Sequence, residues 1–349
     1  MKQSPVLSII VPSYNMEKYL PKCLGSLVVA PELMDRLEVL VVNDGSKDRT
    51  SEIAHEFAAK WPKTFKVIDK ENGQYGSCVN RGLKEAQGAF VKVLDADDSF
   101  DTENFARFLS AMIKQETDRP GYYDLFISQF DTVNEYGEVT HSTRWEWDDE
   151  RGVEFSELKQ HYGRIYLYHI AYRTENLRRI GYRQTEGIYY TDTEWISWPM
   201  CTVNHVYFTP YVVYKYLVGR PGQSVAKEVR IKHAAAYATI LVNFADVYWR
   251  ENSKWTPAAK DYLRGQFAQM ASLAYGIPVY ELPINEAAEK IRDLERRLKA
   301  VDEKMLILAR RSMVLFSGSV RLSILRMCRL FGYRIGLGFA RGYRRLRSR

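Results

Sequence analysis

Cysteine is scarce in this 349-residue chain. Cys23, Cys78, Cys201 and Cys328 stand far apart and share no metal-ligand or redox spacing. That excludes a disulfide framework and suits a reducing compartment. Long apolar runs are missing too: none approaches the roughly 20 residues that cross a bilayer. The opening "MKQSPVLSIIVPSYN" has too short an apolar run and too little basic flank for a secretory leader. There is no internal repeat and no low-complexity tract. A cytoplasmic globular protein is the expectation. Acid is absent from one region altogether: residues 313–349 carry nine arginines and no Asp or Glu. Taking that +9 from the net charge of +7 leaves the other 312 residues at −2. The body is nearly neutral, which argues against nucleic acid as a partner.

The first hundred residues alternate short apolar runs with amphipathic stretches. Strands are expected at 7–11, 37–42, 65–69 and 90–94, with helices at about 17–29, 49–60 and 76–87. This rhythm predicts βαβ units and a mostly parallel sheet. In such sheets ligands bind beyond the carboxyl ends of the strands. Those ends read "VPSYN", "VVNDGSKDRT", "DKENGQYGS" and "LDADD", so polar and acidic residues gather where a site is expected.

A helix at about 103–117 leads to two further strand patterns and an aromatic-rich stretch, 155–222. Helices dominate from about 228 to 275. Apolar residues at 284, 287, 291, 294, 298, 301, 305 and 308 then form a heptad seam. The seam serves either a homodimer or packing onto residues 228–275. The tail interleaves large apolar residues with arginines, the pattern of an interfacial helix on anionic headgroups. Glycines at 332, 336, 338 and 342 weaken any long helix there. The division is therefore 1–224 (halves 1–101 and 102–224), a helical region 225–312, and a membrane-associating tail 313–349.

The acidic strand end asks for an explanation. Asp95 and Asp97 repel each other unless a cation lies between them, and Mg²⁺ or Mn²⁺ is commonly held by one or two carboxylates together with substrate phosphates. The alternative is a solvated turn, with Asp98 or Asp101 capping the next helix. Asn43-Asp44-Gly45 offers a carboxylate to a nucleobase imide, or simply makes a turn. Tyr14 stacks on a base, or merely packs.

Taken together, "SIIVPSYNMEKYLPKCLGSL", "EVLVVNDGSKDRT" and "ENGQYGSCVNRGLKEAQGAFVKVLDADD" resemble the nucleotide-sugar-binding half of the family-2 inverting glycosyltransferases, in order and spacing over about residues 5–105. The resemblance implies an α/β GT-A fold: a Rossmann-like, mostly parallel sheet flanked by helices, here with a C-terminal helical extension. It implies a nucleotide-diphosphate-sugar donor, a UDP-sugar by preference, and Mg²⁺ or Mn²⁺. By position it gives Pro12, Tyr14 and Asp44 to the base, with Asn15 beside them, Asp95 to the ribose or metal, and Asp97 to the metal. Asn72, Gly73 and Asn80 flank the donor, and Ser77-Cys78-Val79 replaces the Ala-Arg that many members carry there. The family's general base maps onto "GIYYTDTEWISW" (187–198). Asp192 aligns with it, Thr191 stands where Glu is usual, and Glu194 competes. Arg220, in "RPGQS", either neutralises the leaving diphosphate or belongs to a turn.

The expected activity is metal-dependent inverting transfer to a hydroxyl of a glycan or lipid-linked acceptor in cell-surface polysaccharide synthesis, at the inner membrane surface. A nucleotidyltransferase is the alternative enzyme, although it usually needs a glycine-rich loop after its first strand, and "VPSYNMEKYL" has none. A catalytically silent membrane-bound scaffold is the alternative from another class.

Overall fold

The computed structural model describes residues 4–220, 223 and 227–312, the strands at 314–317 and 320–323, and positions 332, 335–338 and 341. The chain divides into two compact units, Met1–Pro221 and Gly222–Arg349.

Unit 1 opens with β1 (Leu7–Ser13), α1 (Leu20–Gly25), α2 (Pro31–Met34), β2 (Leu37–Asn43), α3 (Thr50–Lys60), β3 (Phe65–Asp69), α4 (Gln74–Glu85) and β4 (Phe90–Val93). Every residue of β1, β2 and β4 is buried, as strands covered on both faces require. These strands run parallel in the order β3-β2-β1-β4, so their polar carboxyl ends share one edge. Gly82 lets α4 sit on this sheet, because a Cβ there would lie 2.5 Å from Ile10 Cγ2. The helix expected over 17–29 starts only at Leu20. Asn15 adopts a left-handed φ of 53°; its amide donates to Ser46 Oγ (3.1 Å) and its Oδ1 accepts from the Lys47 amide (2.8 Å). In the predicted first turn the Glu17 amide donates to Asp48 Oδ2 (3.0 Å) and Glu17 Oε2 accepts from the Arg49 amide (3.0 Å), so that turn is spent on joining two strand-end loops.

The sheet continues through β5 (Ser99–Phe100), α5 (Thr102–Asp118), β6 (Leu125–Val133), β7 (Val139–Thr143), β8 (Arg151–Glu154), β9 (Ile170–Arg173), α6 (Thr174–Arg179), α7 (Asp192–Trp195) and β10 (His205–Leu217). Past β4 the order is β9-β6-β10-β5. β9 runs antiparallel to both β4 and β6, while β10 runs parallel to β6. The first half is thus parallel and the second mixed. The switch at β9 brings Tyr168 and His169 alongside the end of β4. Lys92, in mid-β4 and fully buried, donates to the carbonyls of Tyr168 (2.7 Å) and Ile170 (3.3 Å). Burial pushes its ammonium pKa down to about 7.

Unit 2 contains α8 (Lys227–Lys232), α9 (Ala234–Glu251), α10 (Pro257–Glu281), α11 (Ile284–Val301), α12 (Glu303–Ser312) and the antiparallel pair β11 (Val314–Ser317) and β12 (Val320–Ser323). The heptad seam is not one helix: Asp302 is extended (φ −169°, ψ 148°), and its carboxylate caps α12 through the Lys304 amide at 2.7 Å. Nor does the seam face outward. Ala287, Ile291, Leu294, Leu298 and Met305 are buried, and α11 packs on α9, α10 and α12 of the same chain. The homodimer expected through 284–308 therefore loses its surface, since the apolar stripe is already covered from within. Arg310 grips Glu295 with two bonds (2.7 and 2.6 Å) across the α11–α12 hairpin. Among the described residues no helix is long and apolar enough to cross a membrane. The membrane reading of 313–349 falls mostly outside the described residues. Arg341, which is described, caps α10 by donating to the carbonyls of Val279 and Leu282.

Leu294→Ala should cost about 2–4 kcal/mol. Hydrogen exchange of the full chain should then quicken in α9–α12 while β1–β4 keep their protection; unchanged exchange in α11 would refute this packing.

Candidate active site

The strand-end loops form the floor of the cleft. Tyr14 follows β1 and is 45% exposed; Pro12, inside β1, is buried. Asp44, just past β2, is buried and engaged on both oxygens. Oδ1 accepts from Lys70 Nζ (2.6 Å) and the Gly73 amide (2.9 Å), and Oδ2 from the Gln74 amide (2.9 Å). It therefore anchors the N-terminus of α4, where amides carry partial positive charge. Asn72 donates to the Asp44 carbonyl at 3.0 Å. This loop carries its own strain, with Gln74 at φ 68°. Asn15, Gln74 and Tyr190 are the non-glycine residues at positive φ among those described; Asn15 and Tyr190 sit in loops and Gln74 opens α4. Such conformations cost on the order of 1–3 kcal/mol each and cluster at functional sites.

At the end of β4 three aspartates take separate tasks. Asp98 is buried and points inward: it accepts from Tyr214 Oη (2.7 Å) and the Leu217 amide (2.7 Å), pinning β10. Desolvation first, then Asp97 and Asp95, push its carboxyl well above the usual range. Asp97 accepts from Arg220 Nε at 2.5 Å, and that guanidinium also lies over the Tyr19 ring. Asp95 accepts from Tyr75 Oη at 2.9 Å. Desolvation lifts its pKa to about 7, reinforced by the negative charges of Asp97 and Asp192 and opposed by Tyr75 and Arg220. Asp101 caps α5 through the Asn104 amide at 3.1 Å. The helix-capping alternative therefore accounts for Asp101, but not for Asp95 or Asp97.

The short helix α7 supplies the remaining carboxylates. Trp195 is fully buried against Tyr172 and Tyr182, and its carbonyl accepts from Tyr172 Oη at 2.9 Å. This anchor fixes the short helix that carries Asp192. Asp192 is an exposed residue at the cleft, and desolvation by the surrounding cleft walls pushes its carboxyl pKa up against opposing bonds from backbone amides. Glu194 is buried and committed: its two oxygens accept from the Thr185 hydroxyl and the Thr185 amide, each at 2.7 Å. Of the two expected base candidates, only Asp192 faces the cleft.

Thr185 in turn lies on α4. A Cβ at Gly76 would stand 2.2 Å from the Thr185 carbonyl oxygen. Asn80 donates to the carbonyl of Gln184 (2.9 Å) and accepts from its amide (2.8 Å), and the Gly187 amide donates to the Gly73 carbonyl (3.0 Å). Gly73 and Asn80, read from sequence as donor-flanking, here strap the base-bearing loop to α4. Glu194 completes the strap from its other side.

Sequence reading missed Lys70, Tyr75, Tyr168, Tyr214 and Lys92. Tyr75 and Lys70 lay within the quoted motifs but carried no pattern of their own. Lys92 had a signal: a lone cation in the apolar run "FVKVL". His169 is buried, and its Nδ1 accepts from the Tyr166 amide at 3.1 Å; desolvation lowers its pKa to about 3, so it stays neutral. Among the described residues no group of three or more His, Cys, Asp or Glu is placed to hold a metal ion.

A parallel βαβ sheet ending in Asp-x-Asp, continued by a mixed half that carries a further carboxylate, is the GT-A class of fold. The crystal structure of S. aureus TarS 1–349 in complex with UDP-GlcNAc superposes with a TM-score of 0.67 at 20% identity, covering 97% of this chain and 91% of that one. Residues 8–181, about half of the chain, match Glycosyl transferase family 2, and the chain belongs to that family. EpsH of Bacillus subtilis (strain 168) is 42% identical over 96 residues, 28% of this chain and 27% of EpsH. The minor teichoic acid biosynthesis protein GgaB of the same organism is 34% identical over 103 residues, 30% of this chain and 11% of GgaB. The matches thus span about a third or less of these relatives' lengths.

Gly76→Ala should drive Thr185 off α4 and cost about 1–3 kcal/mol. Faster hydrogen exchange across 183–191 checks it, and unaltered exchange there would contradict the strap.

Proposed function

We propose that the protein is an inverting glycosyltransferase that moves a sugar from a nucleotide-diphosphate sugar, a UDP-sugar by preference, to a hydroxyl of a glycan or lipid-linked acceptor. One observation carries this reading: Asp95, Asp97 and Asp192 interact electrostatically at a single cleft, beneath loops suited to a nucleotide. Tyr14 offers an exposed ring for the base. Asp44 retains acceptor capacity on Oδ2 for an imide N–H, besides its bond to Gln74. The UDP-GlcNAc bound by TarS supports a UDP-sugar, and the teichoic acid role in GgaB's name supports a cell-envelope acceptor.

The residues present fit a divalent cation. Asp95 and Asp97 are hard oxygen donors, and desolvation, with the charge of Asp97 behind it, holds Asp95 up to about 7. Two carboxylates plus substrate phosphates are the usual mode for Mg²⁺ or Mn²⁺. When bound, such an ion would neutralise the diphosphate leaving group. Arg220, beside Asp97, adds a fixed positive charge on the same side of the cleft. The Asp192 carboxylate accepts the proton of the acceptor hydroxyl as that oxygen attacks the anomeric carbon from the face opposite the diphosphate. Its raised pKa makes it a stronger base than an ordinary aspartate. Glu194 holds the loop and takes no proton. The arginine-rich tail fits contact with anionic lipid at the inner membrane surface.

Asp192→Asn should lower transfer by about 10²–10⁴-fold and leave UDP affinity intact. Glu194→Gln should instead lower thermal stability first, because it weakens the Thr185 strap. Transfer surviving in Asp192→Asn would move the base elsewhere.

A further inference from the structure

Outside the cleft, α4 and the 178–186 segment enclose a groove of about 620 Å³. Five cations line it (Lys70, Arg81, Lys84, Arg178 and Arg183) against one carboxylate, Glu186. This is a local excess, because the chain outside residues 313–349 is slightly acidic.

The surrounding anions do little to cancel it. Arg178 spends its bonds on the carbonyls of Leu83 and Ala86 (3.0 and 2.5 Å), which cap α4 and remove no charge. Lys84 is exposed and has no carboxylate partner among the described residues. Arg81 pairs with Glu85 (3.1 Å) and Arg183 with Glu186 (3.0 Å), both solvent-exposed contacts of the kind that contribute little. Glu186 is also shared with Asn80 at 2.9 Å. Lys70 alone is neutralised by a buried acid, Asp44.

The cations lie on both walls. From Ser77 to Lys84 the α4 wall runs about 10 Å at 1.5 Å per residue. A single phosphate spans too little of this length to meet both ends. We infer that the groove binds a chain of successive phosphodiesters, an anionic polymer laid along α4. Its upper end is at Lys70 and Ser77, beside the Gly73–Gly187 contact that carries the base loop over α4. A chain lying there leads toward the candidate active site. That this chain is the acceptor rests on the proposed glycosyl transfer; that the groove binds it does not.

The test uses the full-length protein without any sugar donor. A short, labelled abasic phosphodiester oligomer is titrated at about 0.15 M salt, where loosely held surface charge is screened. Lys84→Glu/Arg183→Glu should weaken binding about tenfold or more. Lys63→Glu/Lys114→Glu makes the same charge change away from the groove and should leave affinity unaltered. The basic tail is intact in both variants, so its contribution cancels. UDP binding and melting temperature should match wild type in both. Equal weakening by the two pairs, or none by the first, overturns the groove. Vesicles of phosphatidylglycerol form the second arm: if the first pair releases the protein from vesicles but not from the oligomer, a membrane surface is the ligand and the chain is not. Because no transfer is read, loss of the glycosyltransferase reading would leave this result standing.

Discussion

Mutual repulsion among carboxylates at the end of β4 is the constraint around which unit 1 is arranged. Three acids in four residues follow a strand with every residue buried. The fold resolves the conflict by giving each a different hydrogen-bond partner: Asp98 the Tyr214 hydroxyl and a β10 amide, Asp97 the Arg220 guanidinium, Asp95 the Tyr75 hydroxyl. A hydroxyl donates a hydrogen bond but no charge. Asp95 is desolvated where it stands, and its pKa near 7 reflects that burial first and the charge of Asp97 second. Buried acids left in this condition are frequent at functional sites, and a divalent cation removes the penalty directly.

The same economy joins the two halves of the site. Asp44 organises the start of α4 by binding its amides, and α4 then receives the base-bearing loop on Gly76 and Asn80. Anything that orders the loop before α4 therefore bears on where Asp192 stands. Glycine at 76 is required by close approach of a carbonyl, not by backbone conformation.

The β1–β4 unit was legible because local pattern and tertiary role coincide there: fully buried parallel strands read as continuous apolar runs, and their polar ends read as a site. Asp95 and Asp97 stood out by their spacing at the end of a buried strand, and Asp192 only through the family resemblance. Less visible was the work of residues whose partners lie far along the chain. Asp44 reads as a nucleobase acceptor and Asn80 as a donor neighbour, yet in the structure they bind α4 and residue 184 respectively. Glu194 looked like a second base because sequence distance cannot show that Thr185 already occupies it. The heptad seam was real as a pattern, and periodicity alone could not say whether its apolar face met another chain or α9 and α10. Strand direction past β4 was hidden as well, since β9 is a four-residue strand whose antiparallel course is set by pairing.

The proposed site turns on Asp95: desolvated and repelled by Asp97, it must give up its proton if a divalent cation is to join the nucleotide there. Calorimetric titration of UDP with Mn²⁺ tests it most directly, in two buffers of different ionisation heat between pH 6 and 8. A carboxyl raised to about 7 is protonated below that pH and must lose its proton to ligate. The account predicts that Mn²⁺-dependent UDP affinity rises with pH through about 7, with proton release below it that disappears in Asp95→Asn. UDP binding of equal strength with and without Mn²⁺, or proton release unchanged in Asp95→Asn, would contradict it.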